Sequence, residues 1–291
     1  MATNTAARQG AMTGTVLTVI VAISFSHFLN DLMQALLPAI YPMLKDDFGL
    51  TFQQVGWLTL TFQFTASLLQ PVVGIVADKR PLPYSMAYGM ASTLAGLVLL
   101  AVAHEFWLLV LAAALIGLGS AIFHPEASRV ARMAAGSRPG FAQSVFQVGG
   151  NFGSALGPLL AAFIVLPFGQ RSIAWFSAVA VLAMVVLYRV GNWYRGHLVR
   201  LLNRAKPIYE GASRGRLMWS ILILVVLTFS KAVYSASLGS YYTFFLIESH
   251  GVSIRDSQLL LFVYMAAVVV GTYIGGPLGD RFGRKVVLWG S

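Results

Sequence analysis

The 291-residue chain contains no cysteine. That excludes disulfides, thiol catalysis and cysteine-ligated metal. Charge is scarce too: Asp, Glu, Lys and Arg make up 10% of the chain, against about 25% in a soluble domain. Acidic residues are fewest, ten against 20 lysines and arginines, for a formal net charge of +10. What fills the space is apolar: 57% hydrophobic residues and a mean hydropathy of +0.74. Such a chain reads as an all-α integral membrane protein, because lipid offers the backbone no outside hydrogen-bond partner. The positive excess is no nucleic-acid footprint, since it lies in short loops between apolar runs and not on one basic face. No metal, organic cofactor or nucleic-acid partner is expected.

A spanning helix needs about 20 mainly apolar residues. Eight segments qualify: 16–43, 53–77, 84–103, 106–128, 141–166, 171–190, 217–247 and 257–279. The first and seventh are overlong and are expected to tilt or bend. MATNTAARQGAMTGT carries one Arg before the first apolar run. It is not read as a signal peptide, since that run continues to Pro42 and no small-residue cleavage site ends it. With the N-terminus in the cytoplasm, 16 of the 20 lysines and arginines fall on that side, three fall opposite, and Lys231 lies within a span. That bias is the positive-inside pattern, so the N-terminus is expected to be cytoplasmic.

The connection 191–216, GNWYRGHLVRLLNRAKPIYEGASRGR, is basic and divides the spans into six and two. It reads as a solvated cytoplasmic linker against anionic headgroups. The expected organisation is a six-helix half over 1–190, the linker over 191–216, and a partial second half of two helices over 217–291. The second span ends QPVVGIVADKRPLPY and the eighth GGPLGDRFGRKVVLW. Each sets a glycine four residues before an aspartate at a cytoplasmic helix end, followed by cations. The copies are Gly74, Asp78 and Arg80, then, 202 residues on, Gly276, Asp280, Arg281 and Arg284. Placed equivalently in two halves, they mark a duplicated six-helix unit. The glycine permits close helix approach. The aspartate can accept from the first amides of a neighbouring helix, and the cations after it can pair with it.

This loop resembles GxxxDRxGRK, the signature of the major facilitator superfamily. The second copy matches closely, and the first departs after Asp78, reading DKRPLP. GGNFGSALGPLLAAF in the fifth span resembles the Gly-Pro motif of that family's exporter branch, though small-residue packing explains it too. SHFLNDLMQALLPAIYP, LTFQFTASLLQPVVG, GSAIFHPEASRVARMA, SVFQVGGNFGSALGPLLAA and SKAVYSASLGSYYTFF narrow the match to the fosmidomycin-resistance group of drug exporters. The resemblance runs from residue 16 to the end. It implies a facilitator-type bundle of two pseudo-repeated halves, here with eight of its twelve helices, either as a fragment or from a truncated gene. It also implies a proton-driven antiporter of the bacterial inner membrane that exports a small anionic drug such as fosmidomycin, giving antibiotic resistance. Its partners would be that anion, protons and lipid, and a monomer is expected.

The polar residues inside the spans follow. A carboxylate at the centre of an inserted helix costs roughly 2.5–3.5 kcal/mol. Asp31 is such a group, and His27, one turn before it, shares its face, flanked by Asn30 and Gln34. Either Asp31 loads a proton and His27 tunes or relays it, or the two form a polar clasp that fixes packing. In AIFHPEASRVARM, His124 and Glu126 point different ways around the helix, and Pro125 is expected to bend it. Glu126 and Arg129 are spaced to pair. They read either as a second protonatable carboxylate with its switchable, anion-binding partner, or as a boundary ion pair. Gln147 and Asn151 make a polar stripe with Gln143, as Gln63, Ser67 and Gln70 do in the second span. Both stripes suit a water-filled cavity or helix-to-helix bonds of about 0.6 kcal/mol each. Lys231, with Tyr234 on its expected face, needs a counter-charge. If the substrate is the phosphonate that the resemblance implies, Lys231 and Tyr234 are first candidates to bind it. Snorkelling, or pairing with Asp31 or Glu126, would also satisfy the ammonium.

Three other functions compete. The chain would be a facilitator importer of a sugar or organic anion, a truncated remnant that transports nothing, or an intramembrane hydrolase or metal enzyme using His27, His124, Asp31 and Glu126. Against the last stands the lack of any HExxH-like spacing.

Overall fold

In the computed structural model, residues 15–136, 138–202 and 213–282 are described. Every regular element among them is helical. In chain order they are α1 (Leu17–Ala39), α2 (Tyr41–Phe48), α3 (Phe52–Lys79), α4 (Ser85–Val102), α5 (Phe106–Ala134) and α6 (Pro139–Leu160), then α7 (Phe176–Leu202), α8 (Arg214–His250) and α9 (Ile254–Phe282). Eight helical stretches among them are long and apolar enough to cross a membrane.

Local chemistry sets the breaks. The first span stops at Ala39 and turns at Ile40, and α2 then ends on Gly49, whose φ of 61° suits a residue without a side chain. Thr51 opens α3 with a capping box: its hydroxyl accepts from the Gln54 amide at 3.2 Å, and the Gln54 side chain accepts from the Thr51 amide at 2.9 Å. Two π turns follow one rule. Phe64–Leu68 holds Ser67, four before Pro71, and Ala161–Val165 holds Phe163, four before Pro167. Each of those carbonyls faces a residue with no N–H, so the helix widens. Pro125 lies inside α5 without ending it. α7 continues to Leu202 and α8 starts at Arg214, so the segment 191–216 is helical at both ends; residues 203–212 lie outside the described ones.

The closest packing is α1 against α6 and α4 against α5, with α3 on α5, α7 on α4 and α1, and α9 on α6. A glycine row on α6 explains the first. A Cβ on Gly149 would strike the Ser24 backbone, one on Gly153 the Phe28 carbonyl, and one on Gly157 Ala35. At that separation the Ser24 hydroxyl donates across the seam to the Val145 carbonyl at 2.7 Å. The packing role of GGNFGSALGP is therefore direct.

Among the described residues, α8 and α9 pack most closely on the first six spans at one end. There Ser240, Thr243 and Phe244 of α8 are buried, Phe244 stands edge-on to Phe52 at 5.3 Å, and the Arg255 guanidinium lies 5.1 Å over the Phe163 ring. At the other end α8 is exposed from Gly215 to Tyr234. A cavity opens between the two groups of helices.

Candidate functional site

The cavity holds about 360 Å³ and is bounded by α1, α3, α5, α6, α8 and α9. Its wall mixes neutral polar side chains, Gln34, Gln63, Ser67, Gln70, Ser120, Ser154, Ser235 and Ser240, with apolar ones such as Pro38, Phe62 and Met265. Its ionisable lining groups are Asp31 and His124.

Asp31 is the hub. His27 Nε2 lies 3.2 Å from its Oδ2, and His124 Nε2, from α5, lies 3.4 Å from its Oδ1. The Asn30 amide donates to the same Oδ1 at 3.0 Å. Spacing on α1 supplied the first contact, whereas the second crosses between helices. The far side of each imidazole is also held. His27 Nδ1 lies 2.7 Å from the Phe146 carbonyl, and His124 Nδ1 lies 3.0 Å from the Ser120 carbonyl. The His27 ring stacks on Phe146 at 4.0 Å and meets His124 edge-on at 5.1 Å. The donor atoms of these three side chains lie within 4.8 Å of one another, near enough for one shared cation. Protons on the ring nitrogens or the carboxyl satisfy the same contacts.

A second polar group lies beyond the cavity lining. Arg129 joins Asp78 through Nη2 and the Ala77 carbonyl through Nη1 at 2.9 Å, and Nη1 also lies 3.2 Å from Glu126 Oε1. Glu126 is fully buried, so Arg129 supplies its compensating charge. The buried phenol of Tyr194, from α7, lies beside both. The cation on Asp78 therefore comes from α5, and not from Lys79 or Arg80 beside it, as the loop spacing suggested. Tyr194 escaped notice because 191–216 reads as a linker; the signal is the lack of proline between Val190 and Leu202.

Other expected site residues lie apart. Ala232, Ser235 and Ala236 turn α8 toward the cavity. Tyr234, two residues from both alanines, points the opposite way and is 64% exposed, and Lys231 is exposed outside the lining. Neither meets Asp31, which is held by the histidines, nor Glu126, which is held by Arg129. Gln147 is exposed, and neither it nor Asn151 lines the cavity, whereas Gln63 and Gln70 do. Gly74 faces Pro125. In the second loop copy, Gly276, Asp280 and Arg281 fall within α9, and Arg284 lies outside the described residues.

Residues 23–291 match the model of the Major Facilitator Superfamily. The chain belongs to that family. It is 55% identical over 273 residues, 93% of its length, to the fosmidomycin resistance protein of Escherichia coli (strain K12), of which it covers 67%. It is 41% identical over 281 residues to the uncharacterized MFS-type transporter YfnC of Bacillus subtilis (strain 168), covering 95% of this chain and 69% of that one. Among solved structures, a bacterial homolog of the human lysosomal transporter Spinster, inward-facing and occupied, superposes with a TM-score of 0.67. At 18% identity, over 91% of this chain and 61% of that one, it carries the fold alone. The chain thus spans about two thirds of these relatives' lengths. It is a multi-pass membrane protein with the helical bundle of a transporter family, and the family and these relatives are transporters, not enzymes.

Proposed function

We propose that the whole protein exports a small anionic drug such as fosmidomycin across the bacterial inner membrane in exchange for protons. Its organisation is a six-helix half over 1–190, a cytoplasmic linker within 191–216 and a second half starting at 217, with the N-terminus in the cytoplasm. Two groups of helices rock about the cavity, exposing it to each side in turn. The relative named for fosmidomycin resistance supports the substrate class. The observation that carries the coupling is Asp31, a carboxylate at membrane depth, held by two imidazoles on the cavity wall.

In this reading Asp31, His27 and His124 exchange the protons. Gln63, Gln70, Ser154 and Ser235 offer hydrogen bonds to the substrate, replacing the expected pair of Lys231 and Tyr234. Asp78, Arg129, Glu126 and Tyr194 form a gate that locks α3, α5 and α7 together in one state and parts in the other. A proton biases that equilibrium only through its different affinity for the two states. Asp31→Asn in the whole protein, expressed in a drug-sensitive host, should abolish tolerance to fosmidomycin at wild-type protein levels. Unchanged tolerance would sink the reading. Drug-dependent growth inhibition on expression, instead of tolerance, would favour import.

A further inference from the structure

We infer that His27, Asp31 and His124 hold two protons together, so that the exchange runs at two protons per drug molecule. The inference rests on the proton-coupled reading above and adds its stoichiometry.

The argument is a count of hydrogens. A backbone carbonyl only accepts, so a ring nitrogen beside one must carry a hydrogen. His27 Nδ1 faces the Phe146 carbonyl, and His124 Nδ1 faces the Ser120 carbonyl at 3.0 Å with the Ser120 hydroxyl oxygen, an acceptor in this arrangement, at 3.2 Å, so both Nδ1 atoms are protonated. Each Nε2 then faces a different oxygen of Asp31, at 3.2 and 3.4 Å. A bare Nε2 would set a lone pair against a carboxylate lone pair. Each contact needs its own hydrogen, whether it sits on the ring or on the carboxyl, and two contacts need two.

No other group supplies these hydrogens. The charges that act on Asp31 are those of His27 and His124, and Asp31 is the one acting on His124. Helix α6, packed over the three, has no titratable side chain. On α5, Glu126 is engaged by Arg129, and on α7 Tyr194 lies with that pair. On α8, across the cavity, Lys231 is exposed away from the lining. Asn30 contributes one fixed amide hydrogen to Asp31 in every state. Losing one proton breaks one of the two interhelix or intrahelix contacts, and losing both leaves a lone carboxylate. His124 thus links proton occupancy to the seam between α1 and α5.

The test uses the whole protein in proteoliposomes with radiolabelled fosmidomycin, one pH unit across the membrane and voltage clamped to zero. Each coupled proton then multiplies the steady drug ratio tenfold. Wild type should reach about 100-fold and His124→Gln, which keeps a donor for Asp31 but no titrating nitrogen, about 10-fold. A ratio of about 10-fold in wild type, unaltered in His124→Gln, overturns the two-proton count while leaving coupling intact. No pH-driven accumulation in either overturns the proton-coupled reading itself. Should His124→Gln fail to fold, ¹⁵N spectra of the wild-type histidine rings with the Asp31 carboxyl infrared band decide it. Two hydrogens shared between the two Nε2 atoms and the carboxyl support the count, and one overturns it.

Discussion

Gly150 of α6 sits against the imidazole of His27, with no room between them for a methyl group. A Cβ there would strike the His27 ring and the Asp31 carboxylate together. Gly150→Ala must therefore push α6 off α1 or break the His27–Asp31 contact. Overpacking of this kind costs about 1–3 kcal/mol. The expected outcome is a lower melting temperature and a loss of pH-driven drug accumulation larger than the stability loss explains. Wild-type accumulation in the alanine variant would contradict the placement.

Gly74 belongs to the loop motif, and the same substitution there should be mild. A Cβ at Gly74 would meet Pro125 at 4.0 Å, an ordinary contact. Gly74→Ala is expected to keep its melting temperature within a degree or two of wild type, as measured by fluorescence in detergent. A large fall would show that another state brings these helices closer.

Arg129 neutralises a fully buried carboxylate. Removing one member of such a pair costs about 3–5 kcal/mol, since the other charge stays buried alone. Arg129→Leu should destabilise the protein by that order, and adding Glu126→Gln should recover a large part of it. Additive losses in the double variant would show that the two side chains do not depend on each other.

Gln258 of α9 is buried and donates a 2.6 Å hydrogen bond to the carbonyl of Ala39, where α1 ends. This bond ties the second group of helices to the first at the closed end of the cavity. A net hydrogen bond is worth about 1 kcal/mol, a shift of about fivefold between two states. These 291 residues contain no cysteine, so Ser235→Cys places a single reporter among them inside the cavity. Adding Gln258→Leu should speed its labelling by an impermeant thiol reagent from the α1 C-terminal side about fivefold. An unchanged rate would deny the latch.

Much of the fold was legible in the residues. Long apolar runs located the spans, because lipid forces each one to satisfy its own backbone. The Gly-to-Asp loop at the end of the second span marked Asp78. Within α1, the four-residue spacing of His27 and Asp31 put them on one face, and the same spacing logic paired Glu126 with Arg129. The two are 3.2 Å apart in each case.

Contacts between helices were not legible. His124 reaches Asp31 and Arg129 reaches Asp78, 51 residues away in sequence. Lys231 and Tyr234 carry the chemistry of an anion site, yet α8 turns its small residues, Ala232 and Ala236, to the cavity. No property of residues 231–236 alone reveals the rotation of that helix.

Composition and periodicity thus determined a membrane bundle, its spans and the pairs one turn apart on a single helix. The tertiary structure decided which polar faces meet, through axial register and rotation. Those depend on how closely backbones approach, and here on the glycine row of α6 seated against α1. Asp31 is costly in an isolated helix. The packing that brings His124 to it makes it the centre of a three-residue polar cluster.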